Sequence, residues 1–142
     1  MADEKAPAVV VGVDGSDGSK AALDWAADYA ATVSAPVELV ITWHYPVAYG
    51  TVPMVGLDTD FEEMAAKVVS GMAGEAQRLH PEVVFTTKVI PGPAAEALIR
   101  EAKGARLLVV GSRGHGAFTG MLIGSVSTHC VRHARCPVVV VR

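Results

Sequence analysis

Leu107-Leu108-Val109-Val110-Gly111-Ser112-Arg113-Gly114 decides the fold of this chain, and Gly124-Ser125 follows it after nine intervening residues. Four apolar residues run straight into a glycine-rich turn, the pattern of a buried strand ending at a loop. Gly124-Ser125 then opens a helix expected over Val126 to His133. Glycines let backbone N–H groups approach an anion closely. A helix N-terminus supplies unpaired donors and partial positive charge. The Ser125 hydroxyl adds a donor, and the Arg113 guanidinium can neutralise phosphate oxygens. Tight turns alone would explain a lone Gly-x-x-Gly; the strand before it, the spaced Gly-Ser after it and the helix beyond favour a phosphate cradle. No Gly-Lys-Ser/Thr follows the glycines, so this is not a Walker A loop. Nor does Gly-x-Gly-x-x-Gly follow the first strand, so the dinucleotide fingerprint fails.

Outward from this segment the chain alternates between strand and helix patterns. Ala8-Val9-Val10-Val11-Gly12-Val13 reads as a buried strand ending at Asp14, and Ser16-Asp17-Gly18-Ser19 supplies turn and cap chemistry for a helix through Ala22, Trp25, Ala26 and Tyr29. Val37 to Trp43 is a second strand. His44 to Asp58 is irregular, with Pro46, Gly50, Pro53 and Gly56, a length usually functional or mobile in a compact domain. Phe61, Met64, Ala65, Val68, Met72, Ala76 and Leu79 recur at helical spacing and predict a helix packing these residues into the core. Val83 to Val89 is a third strand, near a sheet edge because Thr86 and Lys88 alternate with apolar residues. A short helix over Ala94 to Lys103, the glycine segment and a last strand, Val138 to Val141, complete the series. Such alternation describes an α/β domain with a mainly parallel sheet and helices on both faces.

The composition sets limits. At 142 residues the chain is expected to be a single domain, 1–142, with 51% hydrophobic residues to fill its core. A net charge of −3 gives no electrostatic case for nucleic acid or an anionic membrane. No apolar run approaches the roughly 20 residues that span a bilayer, and the polar Met1–Pro7 lacks a signal-peptide core, so a cytoplasmic protein is expected. Cys130 and Cys136 read as reduced thiols. His129 and His133 share a helix face with them in part, but Cys136 lies beyond the helix and the set falls short of a metal site; no metal site is expected.

Ligands of open parallel sheets bind outside the carboxyl ends of the strands, where the strand order reverses. Asp14, His44 and Gly111 end their strands there. Asp14 can accept hydrogen bonds from a ribose hydroxyl or a base edge, or serve as a turn residue. His44 and His115 are weaker candidates, each equally readable as an ordinary loop or packed ring. No nucleophile–base pair accompanies the glycines, so no catalytic residue is assigned.

Gly111, Gly114, Gly124 and Ser125 stand as Gly-2x-Gly-9x-Gly-Ser, and this pattern resembles the ATP-binding type of the universal stress protein family. The opening Val-Val-Val-Gly-Val-Asp-Gly-Ser and the closing His-Ala-Arg-Cys-Pro-Val-Val-Val-Val-Arg look like that family's two ends. The resemblance implies an open five-stranded parallel sheet in order 3-2-1-4-5, an adenine nucleotide alpha hydrolase-like fold. It implies that Asp14, with Gly12 and Val13, contacts ribose and adenine, that His44 borders adenine, and that Val110 and Gly111 lie near base and ribose. Arg113, Gly114, Gly124, Ser125, Val126 and Ser127 match the phosphate cradle. Strand two departs from the family's pattern by ending Thr42-Trp43-His44.

The expected function is therefore an ATP-binding stress-response regulator, with slow or no hydrolysis and self-phosphorylation compatible with the resemblance. ATP is the expected ligand, with ADP or AMP as alternatives, and Mg²⁺ riding on the phosphates with Ser125 or water. A homodimer through the apolar Val138–Val141 strand would close an otherwise open edge. Alternatives are a nucleotide-dependent enzyme on the same fold and a dimeric adaptor that binds no nucleotide.

Overall fold

The computed structural model describes residues 7–43, 57–112 and 124–142. In chain order the elements are β1 (Val9–Gly12), α1 (Asp17–Val33), β2 (Val37–Trp43), α2 (Leu57–Leu79), β3 (Phe85–Pro91), α3 (Ala94–Glu101), β4 (Leu107–Gly111), α4 (Ser125–His133) and β5 (Val138–Val141). The five strands form one sheet in the order β3-β2-β1-β4-β5, and every pairing is parallel.

Strand periodicity divides the core in two. Val9, Val11, Leu39 and Val109 point to the face covered by α1 and α2. Val10, Val40, Leu108 and Val110 point to the face covered by α3 and α4. Covering both faces explains why β1 and β4 are continuous apolar runs rather than alternating ones. β3 is an edge strand, and Thr86, Thr87 and Lys88 are exposed on it. Lys88 pairs with Glu101 across 2.9 Å. At the opposite edge all four residues of β5 are half-buried.

Sequence periodicity misplaces part of α2. Ala65 and Ala76 are buried as expected, together with Val69 at 1% exposure, but Met64 is 62%, Val68 39% and Leu79 53% exposed. The apolar arc of this helix is wider than the sheet surface it rests on. The small Ala65 and Ala76 and the compact Val69 allow a close seat, while Val68 and Leu79 border α1 on the flank and Met64 is left to solvent. Two mid-helix glycines, Gly71 and Gly74, have open space where a Cβ would stand; each costs the helix about 1 kcal/mol relative to alanine.

The remaining differences are at boundaries. β3 begins at Phe85 rather than Val83 and continues to Pro91, which an edge strand tolerates because a proline at its end removes no essential ladder bond. Helix α2 already includes Leu57 and Asp58, and α3 closes at Glu101 rather than Lys103.

Candidate functional site

β1 feeds α1 on one face of the sheet, while β4 feeds α4 on the other. Their carboxyl ends therefore part in opposite directions and leave a crevice between them, the switch point at which open sheets bind ligands. The crevice is lined by Gly12, Val13 and Asp14 from the end of β1, Val110 and Gly111 from β4, and Val126 from α4. These six were expected from the sequence, and the fold brings them together. Between the described residues the cleft measures about 100 Å³.

The loop after β1 is fixed by local chemistry. Gly15 has φ +83°, a left-handed conformation that an L side chain resists. Ser16 is the N-cap of α1, and its Oγ accepts from the Ser19 N–H at 3.2 Å. The Ser16 N–H donates to Asp14 Oδ1 at 2.9 Å, and the Ser16 hydroxyl donates to the same oxygen. Ser19 Oγ in turn accepts from the Asp14 N–H at 3.2 Å. The cap thus falls to Ser16, and Asp14 is left as an exposed carboxylate held at the cleft mouth.

On the other side, Gly124 is the N-cap of α4 and makes no side-chain cap hydrogen bond. The first-turn amides of a helix have no intrahelical acceptor, so Ser125, Val126 and Ser127 present N–H groups at a partly positive terminus. Ser127 departs from the expected arrangement in one respect. It is 2% exposed, and its hydroxyl donates to the carbonyls of Ser112 at 3.3 Å and Gly124 at 3.1 Å. Its side chain ties the first turn of α4 to Ser112, just past the end of β4. Ser125 is exposed. His44, Arg113, Gly114 and His115 lie outside the described residues, as does most of the 44–58 stretch.

Six lining residues escape the sequence reading: Ser16, Ser19, Val40, Thr42, Ala94 and Leu98. Val40 stands in register with Gly12, and Thr42 is two residues further along the same face. Ala94 and Leu98 are one helical turn apart on α3. Strand order combined with side-chain alternation would have indicated the β2 pair.

The His129 and His133 rings sit 4.7 Å apart on α4, and Cys130 and Cys136 are free thiols. Burial, reinforced by the neighbouring Cys136, holds the Cys130 thiol up at about 11. Among the described residues no three His, Cys, Asp or Glu side chains converge as a metal site requires, and no helix is long and apolar enough to cross a membrane.

The sequence profile of the universal stress protein family matches residues 7–142. The chain belongs to the universal stress protein family. A universal stress protein of Mycolicibacterium smegmatis is 36% identical over 142 residues, covering 99% of this chain and 47% of its own length; the chain spans about half the length of the curated relatives it matches. Among solved structures, the universal stress protein UspA from Lactobacillus plantarum superposes with a TM-score of 0.79 at 21% identity, over 99% of this chain and all of that one. A universal stress protein in complex with cAMP superposes with a TM-score of 0.70 at 26% identity, over 98% and 99% of the two chains. The sheet order expected of the universal stress fold is the order observed.

Proposed function

We propose that the protein is an ATP-binding stress-response regulator that works by holding the nucleotide rather than turning it over rapidly. The observation that carries this reading is the cleft between β1 and β4, with the Asp14 carboxylate at one side and the uncapped start of α4 at the other. A carboxylate suits ribose hydroxyls, and a helix N-terminus suits phosphates. The likeness to a family member solved with cAMP supports an adenine nucleotide.

In this reading Asp14, Gly12 and Val13 take the ribose and base, with Val110 and Gly111 beside them and His44 at the adenine edge. Gly124, Ser125, Val126 and Ser127 offer backbone donors to the phosphates, and Arg113 and Gly114 complete the cradle. Mg²⁺ is held chiefly by the phosphates, since this cation keeps several waters and needs few protein ligands; the exposed Ser125 hydroxyl is a fitting oxygen donor. When bound, the ion offsets phosphate charge, and orienting the nucleotide falls to the protein's own groups. Asp14 belongs to the ribose end, away from the γ-phosphate, which accords with slow hydrolysis. The chain acts as one nucleotide-binding unit in the cytoplasm and pairs with a second copy through β5.

The test is mass spectrometry of the nucleotide released when the purified protein is denatured, followed by equilibrium binding to the stripped protein. Release of ATP, with ATP rebinding, is the expected outcome. A protein that releases no nucleotide and binds none is an adaptor, and the reading fails.

A further inference from the structure

Glu38 is the one charged residue in the three central strands of the sheet, β1, β2 and β4. Strand alternation puts it on the face covered by α3 and α4, because Val37 and Leu39 belong to the opposite core cluster and Val40 to this one. A half-buried carboxyl inside a sheet costs stability unless a partner holds it. Its register partners are Val10 on β1 and Thr86 on β3, and Lys88 stands two residues beyond Thr86. From α3, the Glu101 side chain hydrogen-bonds the Glu38 carboxyl and also accepts from Lys88 Nζ at 2.9 Å. Among the described residues, Lys88 and Glu101 are the charged groups that act on Glu38; Arg100 and Lys103, close to Glu101 in the chain, are exposed.

Two carboxyls thus share one ammonium. Burial pushes the Glu38 carboxyl above its ordinary value, Lys88 pulls it back, and the hydrogen bond and charge of Glu101 push it up again. With a proton taken from solvent, the Glu38 O–H donates to a Glu101 oxygen. Without that proton, two like charges meet in a half-covered site.

Glu101 is the last residue of α3, and Leu98 stands one turn before it. Leu98 is buried, and its side chain lies against Gly12 in the wall of the cleft. The helix is eight residues long, and Pro93 gives it no side-chain cap hydrogen bond. Left-handed glycines turn the chain at both ends, Gly92 with φ +113° and Gly104 with φ +81°. Turns of this kind can absorb a small rotation of the element between them. Among the described residues, the ties of Glu101 are the polar side-chain contacts that join α3 to the sheet.

We propose that Glu38, Glu101 and Lys88 form a proton-sensitive clamp on α3, closed by acid, and that through Leu98 the closed clamp strengthens nucleotide binding in the β1–β4 cleft. The second half rests on the nucleotide reading above. The folded protein holds the Glu38 proton more firmly than the unfolded chain does. Its stabilising effect is therefore full below pH 4.5 and is lost as pH rises through the raised value. By reciprocity, a ligand that favours the closed clamp also favours the proton.

Glu38→Gln keeps the shape of the side chain and a donor for Glu101 but has no proton to lose. Urea unfolding and ATP titration of wild type and this variant are compared at about pH 5 and about pH 7.5. As pH rises, wild type loses stability relative to the variant, and its ATP affinity falls about threefold more. Asp14, the histidines and the ATP phosphates titrate in both proteins, so the comparison cancels them. Lys88→Met, at an exposed edge position, removes the charge that lowers Glu38 and moves the loss of stability to higher pH. A merely structural ion pair would not shift in that way. Parallel unfolding behaviour of wild type and Glu38→Gln, or no upward move in Lys88→Met, overturns the clamp. Diverging stability with parallel ATP affinity overturns its reach to the cleft. If wild type binds no ATP at either pH, the nucleotide reading fails, and the unfolding curves alone decide the clamp.

Discussion

Gly12 and Leu98 meet at the wall of the cleft: a Cβ at Gly12 would stand 2.7 Å from Leu98 Cδ1 and 3.0 Å from Cδ2. Both residues line the same space, so the glycine at the end of β1 is what allows the α3 leucine to seat there. Gly12→Ala forces the leucine tip to swing, and the nearest open volume is the ligand's. Adenine-nucleotide affinity should fall about tenfold, on the order of 1.4 kcal/mol. Adding Leu98→Val should restore most of it, at a stability cost of about 1 kcal/mol. Titration calorimetry of the single and double variants checks this; an unrescued double variant would mean that Gly12 acts by another route.

Asp14 and Arg113 should differ in which nucleotides they affect. Asp14→Ala is expected to weaken ATP, ADP and AMP alike, because the role proposed for its carboxylate is at the ribose and base, which all three share. Arg113→Ala should weaken ATP more than AMP. Comparing the three ligands on each variant measures the orientation of the bound nucleotide. Selective loss of ATP by the Asp14 variant would show it reversed.

The β5 edge makes a prediction about assembly. Leu108 N–H donates to the Pro137 carbonyl and Ser112 N–H to the Val141 carbonyl; the alternation of a parallel strand then turns the backbone groups of Val138 and Val140 outward. Antiparallel pairing of two β5 strands would satisfy them. Val139 packs toward the α1 side and Val140 toward the α3–α4 side, so lysine at either position places charge on one side of the paired strands. Both variants should lose β5 pairing in sedimentation experiments. Retention of that contact by both would put the interface elsewhere.

The Cys130 thiol predicts a pH effect. Its value is pushed up to about 11 from 9.0, so the folded protein holds it neutral where the unfolded chain would ionise it. Stability from this group is full below pH 9.0, declines as pH rises through that value and is lost by about 11. Native Cys130 should resist alkylation at pH 8 and become reactive only as pH approaches its raised value. Fast modification at pH 8 under native conditions would contradict the burial argument.

What the sequence disclosed follows physical lines. β2 and β5 were legible to the residue, because Pro36 and Pro137 set their starts and apolar runs fill them. Asp14, Gly111 and Gly124 were legible because strand ends and helix starts carry local signals. Val40, Thr42, Ala94 and Leu98 carry none: they join the site only once β2 lies beside β1 and α3 crosses over both. The outward turn of Met64, Val68 and Leu79 was hidden for a related reason. Helical period reveals which residues share an arc, but the width of the sheet beneath decides how much of that arc is covered.

The central claim is nucleotide binding in the β1–β4 cleft, and equilibrium binding of ATP to nucleotide-stripped wild type and Gly124→Glu tests it most directly. Gly124 caps α4 without a side chain; glutamate there adds bulk and a like charge beside the phosphates. Wild type should bind ATP, and the folded variant should bind at least about tenfold more weakly, on the order of 1.4 kcal/mol. Equal affinity in a folded Gly124→Glu protein would contradict the account.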